Sequence, residues 1–313
     1  MNIYFAALRT AIDAGVVVVL AGMGELITER VGVLNLGQEG LIGIGAVAAV
    51  IAADQGAGPW VALLVGMIAA GVLGLVFATS VVVVRTNQVL TGLAIVLIGV
   101  GLSNQLGNDY QGSPVRHVFR PLAIPGLVDI PHVGPALFNH AIPVYLAYVA
   151  LPIVVYILLF RTRHGMNMRA VGENTSAADA AGINVTGIRL LYTTLGAALS
   201  GAGGAFLMLA FTPVWAVDVA RGRGWVALAV VIFAAWRPAL LVLGALLFGG
   251  MISLGFIAQQ QNWGIPSFVL AMAPYLVTVA LIIIPSALAR FGFKFRSSVA
   301  PSALGLPYFR EER

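Results

Sequence analysis

The feature that most constrains this chain is a succession of apolar runs, most of them long enough to be membrane helices. A spanning helix needs about 20 mostly apolar residues. Runs of that kind lie near 11–27, 38–53, 60–83, 88–106, 140–160, 188–211, 224–237, 239–257 and 267–288. Several are short or rich in glycine, so about eight to nine hydrophobic segments are expected. They lack the period-2 alternation of a membrane barrel. Composition agrees: of 313 residues, 60% are hydrophobic and 9% charged, with a mean hydropathy of +0.97. A soluble domain carries about 25% charged residues, and it cannot hide this much apolar surface behind so few. A soluble enzyme, a nucleic-acid-binding domain and a disordered chain are therefore excluded. The expectation is an all-α polytopic bundle in membrane lipid, a single transmembrane domain over residues 1–313.

Of the 17 basic residues only Lys294 is a lysine, and there is no cysteine. Thiolate metal sites, disulfides and cysteine catalysis are ruled out. No cationic stretch leads into a cleavable apolar segment, so no removable signal peptide is expected. Basic residues in short loops mark the inner face of a membrane protein. Arg161, Arg163, Arg169 and Arg189, and the tail over 289–313 with Arg290, Lys294, Arg296, Arg310 and Arg313, should be cytoplasmic. The Pro- and Gly-rich connection at 107–139 balances Arg116 and Arg120 against Asp109 and Asp129 and should lie outside. The side of the N-terminus is left open.

Three stretches break the apolar pattern. The first is GELITERVGVLNLGQEGLIGIG, Gly24 to Gly45. Glu25, Glu29, Arg30 and Glu39 sit where an ionisable group costs about 2.5–3.5 kcal/mol on insertion scales. Glu25 and Glu29, four apart, share a helix face if the first span reaches them. Asn35 and Gln38 add neutral hydrogen-bonding groups among glycines that loosen the backbone. Irregular backbone at membrane depth survives only buried in protein or lining a cavity, and broken helices of this kind build transporter substrate sites. Asn35, Gln38 and Glu39 are read as pathway residues, with Glu39 paired or hydrogen-bonded. For Glu25, Glu29 and Arg30 a structural role stays open, including an interfacial loop in which Arg30 snorkels and pairs with Glu29.

The second stretch, RTRHGMNMRAVGENTSAADAAGI from Arg161 to Ile183, is too polar to span. Ser176 with Asp179 resembles a capping box. Ala177, Ala178, Ala180 and Ala181 propagate a short helix and Gly182 stops it. An ordinary basic loop and a docking helix both fit. His164 fits an interfacial residue better than a ligand. The third stretch is FTPVWAVDVARGRGWVALAVVIFAAWRP, Phe211 to Pro238. Its GRGWVALAVVIFAA faintly echoes LGQEGLIGIGAVAAVIAA at 36–53, as two related halves with broken or re-entrant elements would. Asp218 and Arg221 fit a solvated outer loop equally well.

The lone Lys294, between two phenylalanines, leaves no P-loop. No His/Glu set has metal spacing, and no Ser sits in a G-x-S-x-G setting. The residues supply no catalytic or metal site.

The patches GELITERVGVLNLGQEG and RAVGENTSAADAAGI together resemble permease subunits of ABC importers in the branched-chain amino acid, ribose and nucleoside group. TNQVLTGLA at 86–94 and the ending ALGLPYFREER resemble the nucleoside branch. The likeness covers nearly the whole chain, departing in the charged Val217–Gly224 stretch and in lacking an extra domain. It implies two related halves and a substrate path between this chain and a second, paralogous permease. It also implies an ABC ATPase that binds ATP and Mg on the cytoplasmic face, and an extracytoplasmic substrate-binding lipoprotein. No cofactor is expected on this chain. The family's coupling segment maps onto 161–187, with Arg169, Gly172, Glu173, Ala177, Ala178, Ala181 and Gly182 against the ATPase. Asn35, Gln38, Glu39 and Asn87 are the path candidates for a nucleoside, with Trp215 or Trp225 as stacking surfaces. The expected protein is an ATP-driven importer subunit in a prokaryotic plasma membrane. Sugars or branched-chain amino acids are the alternative cargo, and a proton-coupled secondary transporter using Glu25, Glu29 or Glu39 is the alternative class.

Overall fold

A computed structural model describes residues 3–131, 133–266, 269–270, 272–277, 279–280, 283 and 300–309. In lipid each backbone N–H and C=O must find a partner within the chain, and the apolar runs do so as helices. In order these are α1 (Ile3–Arg30), α2 (Gln38–Asp54), α3 (Pro59–Val83), α4 (Gln88–Tyr110) and α5 (Ile142–Arg161). There follow α6 (Arg163–Glu173), α7 (Thr175–Ala180), α8 (Val185–Phe211), α9 (Arg223–Phe233) and α10 (Pro238–Gln260). The connection at 107–139 is tied off by a two-residue ladder, β1 (Leu122–Ala123) antiparallel to β2 (Asn139–His140). Local chemistry sets many helix starts. Pro59 and Pro238 open α3 and α10, while Asn87, Thr162, Asn174 and Asn184 cap α4, α6, α7 and α8 with side-chain oxygens. The cap of α7 is therefore Asn174, whose Oδ1 accepts from Ala177 N at 2.9 Å, and not Ser176, which lies inside the helix.

Eight of the nine expected segments fall on helices; half of 267–288 lies outside the described residues and its described half is helical, while most of the 289–313 tail lies outside them. Among the described residues, six helices (α1, α3, α4, α5, α8 and α10) are long and apolar enough to cross a membrane. The protein is a multi-pass, all-α membrane protein. The other two expected spans, α2 with 17 residues and α9 with 11, are shorter. Each starts inside the bundle after a stretch of non-helical chain.

At the centre α1 and α8 run antiparallel, with Gly24 against Gly196 and Val17 against Gly203. Gly66, Ala70 and Gly74 of α3 pack against Ala197, Gly201 and Ala205 of α8. On the other side Leu241, Ala245 and Gly249 of α10 pack against Gly22, Gly15 and Ala11 of α1. Small residues at these contacts let backbones approach, which is how helices associate without a hydrophobic drive. Two units emerge with the same order: long helix, non-helical stretch, short helix, long helix (α1, 31–37, α2, α3 and α8, 212–222, α9, α10). Because α1 and α8 are antiparallel, the units are inverted. One end of the bundle gathers Arg30, Arg85, Arg161, Arg163, Arg169, Arg189 and Arg237 with residues 300–309. The 107–139 connection closes the other end, where Arg116 meets Asp54 at 3.5 Å.

A Cβ added at Gly196 would meet the Thr28 hydroxyl and the Gly24 carbonyl, whereas one at Gly101 meets nothing within 4 Å. Gly196→Val should destabilise the detergent-solubilised protein by about 1–3 kcal/mol, as overpacking does. Gly101→Val should leave the thermal unfolding midpoint unchanged.

Candidate functional site at the two broken helices

The helix α1 ends because Gly32, at φ +81°, turns the chain back into the bundle. Residues 31–37 then run without a helical ladder, so side chains must satisfy the exposed backbone groups. Leu34 N donates to Gln88 Oε1 at 2.7 Å, Asn35 N to Glu25 Oε1 at 3.0 Å, and Gly37 N to Asn35 Oδ1 at 2.9 Å. The second oxygen of Glu25 accepts from Gln38 Nε2 at 2.5 Å, and Gln38 Oε1 accepts from the Ser200 hydroxyl. Glu25, Asn35, Gln38 and Ser200 are all fully buried. The chain Glu25–Gln38–Ser200 thus ties α1, α2 and α8 together at the break.

One residue on, Glu39 bridges the two inverted units. Its Oε1 accepts from Gly222 N at 2.5 Å and its Oε2 from Gly224 N at 2.8 Å, across 183 and 185 residues of sequence. Those are the first free donors of α9, so the carboxylate caps this helix and meets the positive end of its dipole. Gly222 precedes α9 in the left-handed region, at φ +80°. The N-terminal ends of α2 and α9 therefore meet, and a Cβ at Gly224 would run into the Glu39 backbone. Beside this junction lies a cavity of about 230 Å³, with Glu39, Ser103, Asp218 and Arg221 in its wall. Asp218 and Arg221 hold left-handed backbones at φ +53° and +46°, conformations that cost energy in a non-glycine residue and cluster at functional sites. Asn104 holds Asp218 with two bonds, Nδ2 to Oδ1 at 2.9 Å and Oδ1 from Asp218 N at 3.0 Å.

A second junction lies at the arginine-rich end. The Trp236 indole donates to Glu29 Oε2 at 2.5 Å, and Arg30 Nη2 donates to the Trp236 carbonyl at 2.9 Å. Of the readings left open for Glu29 and Arg30, the snorkelling pair gives way to hydrogen bonds that tie each residue to Trp236, because adjacent helical residues point in different directions. Only a longer-range attraction joins the two charges. Glu29 faces the turn after α9, where Ala235 and Trp236 are both left-handed. The Arg30 guanidinium lies 5.9 Å from the Phe160 ring centre and that of Arg169 lies 5.3 Å from it.

Residues 8–285 match the family model described as branched-chain amino acid transport system / permease component. The chain belongs to this permease family. The guanosine ABC transporter permease protein NupQ of Bacillus subtilis is 32% identical over 94% of this chain and 93% of its own. The nucleoside ABC transporter permease protein NupC of Lactococcus lactis is 31% identical with the same coverage. A Haloferax volcanii chain, whose name assigns it provisionally to glucose ABC transport as permease protein TsgC13, is 37% identical over 82% of this chain and 80% of its own. No solved structure matches.

In this permease the predicted residues divide by position. Asn35, Gln38 and Glu39 come together at the junction, with Glu25 beneath them; only Glu39 lines the cavity, while Asn35 and Gln38 are fully buried and hydrogen-bond within the chain. Asn87 is exposed and spends its Oδ1 on Leu90 N as the cap of α4. Its neighbour Gln88 is the one that reaches the re-entrant chain. Trp215 is buried against Gly107 and Trp225 is 38% exposed on α9, and neither lines the 230 Å³ cavity. On the surface segment, Arg169, Gly172 and Glu173 belong to α6, while Ala177, Ala181 and Gly182 are exposed. Ala178 turns inward and packs with Val171 and Val185. Sequence reasoning missed Gln88, Asn104, Ser200 and Trp236. Ser200 gave no signal in a run of small residues, whereas Trp236 stands in an AAWRP step that breaks an apolar helix.

An amide at position 39 supplies one acceptor and sets its NH2 against the other α9 donor. Glu39→Gln should therefore cost about 1–2 kcal/mol of stability, the range of a lost helix cap, read by thermal unfolding in detergent. A double-mutant cycle of Glu29→Leu with Trp236→Phe should return a coupling of about 0.5–1.5 kcal/mol, the range for a side-chain hydrogen bond.

Proposed function

We propose that this permease is the substrate-conducting subunit of an ATP-driven importer whose cargo is a nucleoside. The observation that carries the reading is the meeting of two inverted half-helices at Glu39, beside a mainly apolar cavity into whose wall Glu39, Ser103, Asp218 and Arg221 bring the polar groups. It is supported by likeness over almost the whole chain to permeases named for guanosine and nucleoside transport. Path residues on this chain are Glu39, Ser103, Asp218 and Arg221, with Asn35, Gln38 and Asn104 holding them in place from behind. A neutral, hydroxyl-rich cargo suits them. Glu39 and Asp218 share the cavity wall with Arg221, two carboxyls to one guanidinium, a balance that disfavours the carboxylate of an amino acid. Sugar is the second reading, favoured by the likeness to TsgC13.

The positive-inside rule supports a cytoplasmic position for the arginine-rich end. The tail and the 161–187 segment are then cytoplasmic, and the 107–139 connection and the start of α1 face outward, toward a substrate-binding lipoprotein. The partner ATPase binds ATP and Mg and docks on α6–α7. Its contact surface is Ser176, Ala177, Ala180 and Ala181, small side chains that allow close approach, while Ala178 anchors α7 from beneath. A second, paralogous permease completes the path in a prokaryotic plasma membrane.

The test is uptake of a radiolabelled nucleoside into proteoliposomes holding this chain, its paralogue, the ATPase and the lipoprotein. Expected is uptake that needs ATP and is competed by other nucleosides more strongly than by glucose. Uptake driven by a proton gradient without ATP would overturn the importer reading. Ala177→Arg combined with Ala181→Arg should abolish ATPase association while membrane insertion persists, as judged by co-purification.

A further inference from the structure

The residues 300–309 lie across the arginine-rich end and join elements that are far apart in sequence. Ala303 N donates to the Gly172 carbonyl at 2.9 Å, and Gly305 N to the Gly32 carbonyl at 3.3 Å. The Ser302 hydroxyl donates to Glu173 Oε2 at 3.1 Å. Arg189 of α8 donates from Nε to the Val31 carbonyl at 3.1 Å and from Nη1 to the Leu306 carbonyl at 3.2 Å. Arg85 stacks on Phe309 at 4.9 Å, and Tyr308 packs on the cluster of Val171, Ala178 and Val185. Arg189 and Ala303 are buried.

Three backbones are in mutual contact here: the end of α6, the turn after α1, and the tail. A Cβ at Gly172 would strike the Arg30 carbonyl. One at Gly32 would sit 3.1 Å from the Ala303 carbonyl and 2.9 Å from the Arg189 guanidinium. A shift of α6–α7 alone would break the bond from Ala303 and strip Glu173 from Ser302. The tail and the turn at Gly32 must move with the segment, because close-packed contacts are bistable rather than continuously deformable. Gly32 is also where the chain turns back toward Asn35, Gln38 and Glu39.

We propose that the tail is a clamp that makes the α6–α7 segment and the re-entrant 31–37 stretch one moving body. In this role Ala303, Arg189, Gly172 and Gly32 are positioning residues for transport. The proposal rests on the ATP-driven reading above and deepens it: a push on α7 reaches the α2–α9 junction through the clamp.

The test uses the assembled complex in proteoliposomes, with ATP hydrolysis and nucleoside uptake measured on the same vesicles. Ala303→Pro removes the N–H bonded to Gly172, a chain ending before Ala300 removes the whole clamp, and Ala303→Gly keeps the N–H. Expected for Ala303→Pro and for the shortened chain is normal co-purification of the ATPase, continued ATP hydrolysis, and uptake per ATP reduced about tenfold. Ala303→Gly should retain wild-type uptake per ATP. Unchanged uptake per ATP in both disrupting variants would overturn the clamp. So would loss of ATPase co-purification, since the tail would then be a docking or folding element. A wild-type complex with no ATP-driven uptake would instead overturn the transport reading beneath it.

Discussion

A chain that leaves helical geometry inside a membrane must find a partner for every backbone N–H it frees, because no water is there to supply one. This constraint explains why the polar residues of the permease stand where they do. At the first break the partners are Glu25, Gln88 and Asn35, each accepting from one freed amide. At the second break the partner is Glu39, which reaches across from the other unit to two amides of α9. The charges and amides are thus structural acceptors first, and whatever they offer to a cargo is offered from a scaffold already held in place.

The inverted arrangement follows from the same constraint. A half-helix that starts within the bundle presents unsatisfied donors and a positive dipole end. Bringing α2 and α9 together head to head concentrates those ends at one depth, where a single carboxylate serves α9 and the Gln38–Ser200 link anchors α2. The glycine and alanine contacts of α1 with α8, α3 and α10 with their neighbours set how near the two units can come. Trp236 repeats the device at the arginine-rich end, held by Glu29 through its indole and by Arg30 through its carbonyl.

Much of the candidate site was legible because a charge or amide between apolar runs is costly and therefore conspicuous. Glu25, Asn35, Gln38 and Glu39 announced themselves in this way. The short helix after Asn174 was legible from its alanines, yet its cap and its inward face were not. Ser176 and Asn174 both carry capping oxygens, and only backbone geometry chooses between them. Ala178 and Ala177 are chemically identical, so which one packs on Val171 depends on how the helix is rolled against α8. Trp215, Trp225 and Asn87 carry groups suited to a nucleoside, but packing sends Trp215 against Gly107, leaves Trp225 facing outward and assigns Asn87 to a helix start.

By itself the sequence determined that this protein is a bundle of membrane helices, that two stretches interrupt it, and that an arginine-rich surface lies at one end. These follow from local quantities: run length, the cost of a charge in lipid, and the distribution of arginine. Only the tertiary structure decided that Glu39 belongs to α9 as much as to α2, that Glu29 answers Trp236 rather than Arg30, and that residues 300–309 bind the turn at Gly32. The reason is the same in each case. A buried donor accepts any oxygen of suitable geometry, so the choice among partners some 200 residues apart is made by packing and leaves no mark in local composition.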